Sequence, residues 1–347
     1  MTQPIISVII PVGPRHSAHC RVAAASARMQ SIGSEKIEVV LIPDGGADVP
    51  DMPGCTVIRG DGTRRGPAWA RNRGIERANG YFILPLDADD YLQPRGAEHL
   101  LRAYSAGIHG YVYGDAFTVE MNGDYVMRGA PDYVQADMAS YNIHVITALT
   151  PAKHWRAVGG YDERVDAWED WSGHLRLAIA GVCGYRVSQP TLVYRVFEGD
   201  RMTRFNKDRS TMEPVWRLYR NAEGIIPMSG CCGGDATLAQ IAGRAVEGAP
   251  IPPAVAIDGG RVRVKYIGDE KGPIPFDFGG GVLIRIGASP MHRYADVTPE
   301  QAQWLGARIP VEVVPVADPP ALPPAPLPVV VRPDAPIQAL RPARVAI

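Results

Sequence analysis

Along the N-terminal part of the chain, apolar residues gather in short unbroken runs, separated by polar stretches with helical spacing or glycine turns. Residues 5–12, IISVIIPV, are rich in β-branched side chains and show no polar face, the pattern of a strand covered on both sides in a parallel sheet. Residues 17–31 predict an Ala-rich, modestly amphipathic helix. IEVVLIPDGG over 37–46 predicts a second covered strand ending in a glycine turn, and CTVIRGD over 55–61 a third, shorter one. GPAWARNRGIERANG over 66–80 reads as a helix, with Pro67 near its start and Gly80 just past its end. YFILPLDADD over 81–90 predicts a fourth strand. Strand, helix, strand, strand, helix, strand is the plan of a layered α/β domain, whose ligands bind beyond the carboxyl ends of the strands.

Farther along, the period changes. EGAPIPPAV over 247–255 reads as a linker, and residues 261–314 alternate apolar and polar in short runs such as RVRVKYIG and GGVLIRIG, which suits a small antiparallel β unit. From Pro315 onward the chain has no helical or strand period and is expected to be extended polyproline or loop. The expected organisation is an α/β domain over 1–225, a Gly/Pro-rich connection over 226–258, a small all-β domain over 259–314 and a Pro-rich extended tail over 315–347.

Composition narrows the class. With 36 Lys+Arg against 37 Asp+Glu in 347 residues, the formal charge of -1 offers no global basic field for nucleic acid or membrane. Five cysteines at irregular spacings do not make a disulfide framework, and a reducing compartment is expected. The apolar run from Ile5 to Ile10 is too short to span a bilayer and lacks signal-peptide flanks, so a soluble, cytoplasmic protein without a transmembrane segment is expected. The absence of GxGxxG and Walker-type loops removes support for a dehydrogenase or a kinase.

Candidate chemistry concentrates where the fourth strand ends. Asp87, Asp89 and Asp90 are mutually repulsive carboxylates at a sheet end, which calls for a cationic partner. A divalent ion such as Mg²⁺ or Mn²⁺, shared with substrate phosphates, would serve; capping of a following helix is the plainer alternative. On the helix from Pro67, positions 68, 71, 75 and 78 form one stripe, so Arg71 faces the sheet while Arg73 lies off it. A buried arginine needs an anion: Arg71 either pairs with the acidic cluster or points to the rim toward a phosphate or base.

In order and spacing, SVIIPV, PDGG, ARNRGIERANGYFILPLDADDYL and VGGYDERVDAWEDWSGHLRLAIAG resemble the GT-A glycosyltransferases of family 2, over roughly residues 5 to 200 and most specifically from Ala70 to Leu92. The resemblance implies a GT-A-type nucleotide-sugar-binding domain, a Rossmann-like mixed sheet with flanking helices, and a nucleotide-diphosphate sugar donor, a UDP-sugar foremost. It also implies a "DxD" element that binds Mn²⁺ or Mg²⁺. Asp87-Ala88-Asp89 match that element, with Asp87 near the ribose and Asp89 as the direct metal ligand. Pro11 and Asp44 match nucleotide contacts, and Arg71 the family's arginine beside the base or diphosphate. Glu169-Asp170 match the acidic pair that supplies the catalytic base, a role expected of Asp170 in a single displacement with inversion. The first turn of a helix over 170–180 would lower the pKa of Asp170, and desolvation by Trp168 and Trp171 would raise it.

Several positions depart from the family pattern. Gly13-Pro14-Arg15-His16 replace the common Tyr-Asn after the first strand, Pro43 stands where an acid usually precedes Asp44, and VYRVFEGDRMTR lacks a late histidine, leaving Glu198 or Asp200 as substitutes. No QxxRW follows Asp170, which argues against a processive synthase. His144 and His154 fall in the stretch expected to face the acceptor but are read as surface or structurally satisfied histidines. Cys231-Cys232 lack zinc-site spacing. Competing readings are a non-catalytic GT-A-like binding or structural protein and a sugar-phosphate nucleotidyltransferase. The acceptor is open among protein, glycan and modified DNA, and the β domain and tail are expected to dock a protein partner or oligomer. A loose likeness of the β segment to bacteriophage proteins raises a phage-encoded enzyme, in the host cytoplasm or on the virion.

Overall fold

The computed structural model describes residues 3–108, 110–121, 124–165, 167–197, 209–219 and 236–247, and beyond them 262–266, 274–277, 283–286, 294–297, 301–302, 305 and 311–314. The strands are β1 (Ile6–Val12), β2 (Ile37–Pro43), β3 (Cys55–Val57), β4 (Phe82–Pro85), β5 (Tyr91–Leu92), β6 (Tyr111–Val119), β7 (Tyr125–Arg128), β8 (Ala148–Pro151) and β9 (Gly184–Arg195). They form one sheet in the order β3-β2-β1-β4-β8-β6-β9-β5, with β7 paired to the Ala116–Val119 end of β6. The half from β3 to β4 is parallel; β8 then runs antiparallel to both β4 and β6.

The unbroken apolar runs have the expected cause. Ile6, Val8, Ile10 and Val12 of β1 enter one core cluster and Ile9 the other, on the opposite face of the sheet. Val39 and Leu41 of β2 likewise alternate with Val40 and Ile42. Both faces are covered, so a strand here keeps no polar side. The helices are α1 (Cys20–Arg28), α2 (Pro67–Arg77), α3 (Gly96–Ser105), α4 (Gln135–Met138), α5 (Ala152–Ala157), α6 (Glu169–Ile179), α7 (Glu213–Tyr219) and α8 (Ala236–Glu247). α1 and α2 start and stop within a few residues of the sequence reading.

Two expectations are corrected. Residues 236–247, assigned to a connection, form α8, whose Leu238, Ala242, Ala245 and Val246 join the same core cluster as β1 and α3. Lys36 Nζ adds a 3.0 Å hydrogen bond to the Ala245 carbonyl. Glycine and proline on either side hid a helix whose apolar stripe is completed only by the domain it packs on. The expectation of a chain without a disulfide framework is qualified: Cys183 is disulfide-bonded, while Cys20 and Cys55 are free.

The later segment carries β10 (Val262–Tyr266), β11 (Ile274–Asp277), β12 (Leu283–Ile286), β13 (Tyr294–Val297) and β14 (Val311–Val314). β10 pairs antiparallel with β13 and β14, and β11 with β12, as the two-residue alternation suggested. Glu198, Asp200, Cys231, Cys232 and the tail from Pro315 lie outside the described residues. Among the described residues no helix is long and apolar enough to cross a membrane.

Helix α2 lies close on the sheet because Gly74 has no side chain: a Cβ there would run into Ile9 Cγ2 and stand 3.0 Å from Ile42 Cδ1. Both isoleucines are fully buried and rotamer-restricted. Alanine would gain about 1 kcal/mol of helix propensity but overpack a filled core, so Gly74→Ala is expected to lose about 1–2 kcal/mol net. Gly13→Ala, with nothing within 4 Å of the added carbon, serves as the neutral control in the same thermal unfolding measurement.

Candidate active site

β1 has β2 on one side and β4 on the other, so successive crossovers leave it in opposite directions. That reversal opens a crevice beyond the carboxyl ends of the strands. A cavity of about 730 Å³ occupies it, within the range of small-molecule sites. Pro11, Asp44, Arg71, Asp87, Ala88, Asp89, Glu169 and Asp170 all line this cavity, although they come from five separate segments.

Asp44, just past β2, accepts hydrogen bonds from the backbone N–H groups of Arg65 at 2.7 Å and Gly66 at 2.9 Å. It thereby holds the loop that leads into α2, where Gly66 takes a positive φ of 92°. Arg71 is 3% exposed and donates to Asp87 Oδ1 at 2.7 Å and to Glu169 Oε1 at 3.0 Å. Its guanidinium carbon stands 5.4 Å from the centre of the Tyr161 ring. Burial works against its charge, but Asp87 and then Glu169 outweigh burial and hold the proton more firmly than usual. Of the two alternatives left by the sequence, Arg71 takes the pairing with acids, and its terminal nitrogens serve the acidic turn and α6.

The three aspartates after β4 are stabilised in three different ways. Asp87 is 31% exposed and paired with Arg71. Asp89 Oδ2 lies 3.2 Å from His16 Nδ1. Asp90 is buried and accepts the Arg195 N–H at 2.9 Å; burial first, then the charges of Asp89 and Asp87, push its pKa well up. Both effects favour the protonated form of Asp90 over the charged one. Arg195 also donates through Nε to the Asp89 carbonyl, which fixes the turn from behind.

Across the cavity, α6 begins at Glu169 immediately after Trp168, a non-glycine residue with φ 63° and ψ 29°. Such a conformation costs about 1–2 kcal/mol for an L residue and survives only where packing imposes it. Trp168 is buried and its Nε1 donates to Thr211 Oγ1 at 2.9 Å, while Trp171 Nε1 donates to the Met138 carbonyl at 2.7 Å. Asp170 then accepts from Asn142 Nδ2 at 2.7 Å and from the Trp171 N–H at 2.8 Å. Its pKa is pushed up to about 6, by burial first and the Glu169 charge second, against the Trp171 N–H and Arg71. Desolvation outweighs the helix terminus in the competition that the sequence left open.

Asn142, His16, Asn72 and Arg195 escaped the sequence reading. Asn72 accepts the Tyr161 N–H at 2.8 Å and donates to the Tyr161 carbonyl at 3.0 Å, clamping α2 to the turn through Gly159 and Gly160. Asn142 lies two positions before His144, in the stretch read as acceptor-facing. His144 is buried against Tyr113, with ring centroids 4.2 Å apart, and its Nδ1 is 2.7 Å from the Val145 carbonyl oxygen. Burial lowers its pKa to about 4. It also meets His174 of α6 edge-on at 4.4 Å, which ties the Asn142 segment to the helix that carries Asp170. His154 does not line the cavity. Among the described residues no three His, Cys, Asp or Glu side chains are grouped to hold a metal ion.

Comparison with known proteins agrees with this architecture. The model of the family described as "Glycosyl transferase family 2" matches residues 7–148. An "Uncharacterized glycosyltransferase" of Rickettsia bellii (strain RML369-C) is 27% identical over 185 residues, 48% of this chain and 26% of that protein. Another of Haemophilus influenzae is 33% identical over 100 residues, 26% of this chain and 39% of that protein. The chain thus spans well under half the length of these curated relatives. S. aureus TarS 1-349, solved in complex with UDP-GlcNAc, superposes with a TM-score of 0.50 at 15% identity over 70% of this chain and 71% of that one. That likeness is one of fold: a mixed α/β sheet with flanking helices of the GT-A kind.

Arg71→Met leaves two carboxylates facing each other without their shared cation. Loss of one partner from a buried pair of this kind costs on the order of 3 kcal/mol. Urea unfolding is expected to show that loss as a lower midpoint at unchanged slope; a midpoint equal to that of the unaltered chain would mean that Asp87 and Glu169 have other partners.

Proposed function

With a Glycosyl transferase family 2 domain over residues 7–148 as the premise, we propose that this chain is a metal-dependent, inverting glycosyltransferase. It moves a sugar from a nucleotide-diphosphate sugar, a UDP-sugar foremost, to an acceptor hydroxyl. One observation carries the reading: a single cavity joins a half-buried pair of donor-side acids, Asp87 and Asp89, to a carboxylate whose pKa is raised to about 6. A pure binding module has no use for a buried acid poised near neutrality, whereas a general base works best there.

The donor side is built from Pro11, Asp44, Asp87 and Asp89, with Asp87 toward the ribose and Asp89 toward a divalent cation. Mn²⁺ or Mg²⁺ bound at Asp89 would neutralise the charge that builds on the leaving diphosphate. Arg15 and Arg64 also line the cavity and suit the diphosphate oxygens. Arg71 contributes indirectly: with its terminal nitrogens held by Asp87 and Glu169, it fixes the distance between the donor acids and the start of α6. On the acceptor side, Asp170 takes the proton from the attacking hydroxyl. Asn142 orients its carboxylate, leaving lone pairs on both oxygens for the substrate. Attack from the Asp170 side and departure from the Asp89 side give inversion in one step. The strands β10 to β14 and the tail after them are the candidate region for docking a large acceptor, in keeping with their separate period.

Calorimetry with UDP should show binding that needs Mn²⁺ and disappears in Asp89→Asn; equal binding without metal would remove the metal from the reading. Asp170→Asn should bind UDP as the unaltered chain does but turn over about 10²–10⁴-fold more slowly. Because a base must be unprotonated, kcat is expected to fall as pH drops through about 6 and to level off above it. A flat profile across that range would assign the base to another group.

A further inference from the structure

The turn that carries Asp170 is held from behind by a segment that does not line the cavity. Residues 209–219 form a 3-10 turn over Arg209–Met212 and then α7, beyond the residues 7–148 matched by the family model. None of these described residues reaches the cavity surface. They pack instead on α6 and the residues just before it. Met212 and Val215 are buried in one apolar cluster with Trp168, Trp171, Leu175 and Ile143, the neighbour of Asn142, and Trp216 meets Trp171 edge-on with ring centroids 6.3 Å apart.

Two hydrogen bonds complete the attachment. Thr211 Oγ1 accepts from Trp168 Nε1 at 2.9 Å, and Tyr219 Oη donates to Asp162 Oδ2 at 2.8 Å. Asp162 is buried and follows Tyr161, whose ring covers the Arg71 guanidinium, while Trp168 directly precedes Glu169. The two bonds therefore fall at the two ends of the stretch that leads from the Arg71 bridge to the candidate base. Among the described residues Trp168 is the one non-glycine with a positive φ, and such a conformation persists only while its surroundings over-determine it. The indole bond and the packing of Met212 and Val215 supply that constraint, and both come from 209–219. Without the Thr211 hydroxyl, the buried indole N–H loses its acceptor and the Trp168 backbone is free to relax, which rotates the first turn of α6 and lets water reach Asp170.

We propose that Thr211 and Tyr219 are positioning residues: through Trp168 and Asp162 they latch the start of α6, so that the Asp170 carboxylate stays aimed into the cavity and covered from water. This rests on the glycosyltransferase reading above and adds to it a control exerted from outside the cavity. Its consequence has a sign. Asp170 faces Glu169 and, one turn along the same helix, His174, together with Arg71 of α2, Asp87 after β4, Tyr161 and Asn142. Burial is the first cause of its raised pKa, so an unlatched Asp170 titrates below its present value of about 6. Looser aim lowers the plateau of kcat at the same time as the acid limb of its pH profile moves to lower pH.

The test uses the full chain labelled with carboxyl-¹³C aspartate, the Asp170 signal being identified by its loss in Asp170→Asn, and in parallel the hydrolysis of UDP-glucose and UDP-N-acetylglucosamine with Mn²⁺ present. Thr211→Val is expected to move the Asp170 midpoint down by about one pH unit, part of the way back to the ordinary aspartate value. It should also lower kcat about 10–100-fold with KM unchanged, as a small misplacement of a catalytic group does. Thr211→Ser keeps the oxygen and should restore both, and Tyr219→Phe should shift both in the same direction by less. Ala242→Gly in α8 lowers the melting temperature away from this segment and should leave the midpoint in place, which separates latching from general loss of stability. An unmoved Asp170 midpoint in Thr211→Val, or a loss of rate that Thr211→Ser does not recover, would overturn the latch and leave the glycosyltransferase reading standing. A midpoint that shifts as expected in a chain that hydrolyses neither donor would retain the latch and count against the glycosyltransferase reading.

Discussion

Arg71 sits almost wholly out of solvent, with one terminal nitrogen on Asp87 and the other on Glu169. A guanidinium in that position is tolerable only while both carboxylates remain beside it, and neither carboxylate can move without leaving the cation exposed to a low-dielectric interior. The three residues belong to α2, to the turn after β4 and to the start of α6. The geometry of the cavity depends on this bridge: it sets how far the acidic turn after β4 stands from Asp170. Tyr161 covers the remaining face of the guanidinium, and Asn72, the next residue of α2, clamps the backbone of Tyr161. One turn of α2 therefore positions both walls of the site.

The acidic turn after β4 would be untenable with three free negative charges in a partly buried corner. Its carboxylates are stabilised separately: an arginine for Asp87, a facing imidazole for Asp89, and a raised pKa for Asp90. On the opposite wall, strain is stored where it orients the first turn of α6. Trp168 adopts a left-handed backbone conformation so that Glu169 and Asp170 both enter the cavity from the first turn of α6, and its buried indole, bonded to Thr211, holds that conformation in place.

The histidine pair His144 and His174 has a related use. Packed on each other and on Tyr111 and Tyr113, and with pKa values lowered by burial, they act as aromatic filling and not as acids or bases. Their packing carries Asn142 to Asp170. The stretch lines the cavity, and the residue in it that reaches Asp170 is an amide two positions before the histidine that drew notice.

The local pattern alone determined the strands and helices of the parallel half, their terminators at Pro67 and Gly80, and the fact that Asp87 and Asp89 stand at a strand end. All of these are written within windows of a few residues, where apolar alternation and backbone restriction act directly. Tertiary structure decided the rest. Arg71 finds Glu169 98 positions away, and Asp89 is braced by Arg195 across 106. α8 owes its place to a core built by residues up to two hundred positions earlier, and to a hydrogen bond from Lys36 at a separation of 209. The direction of the Asp170 shift, likewise, follows from how much of the carboxyl is covered by other segments. Burial and pairing energies depend on what lies within a few ångströms in space, and a linear sequence states only what lies within a few residues.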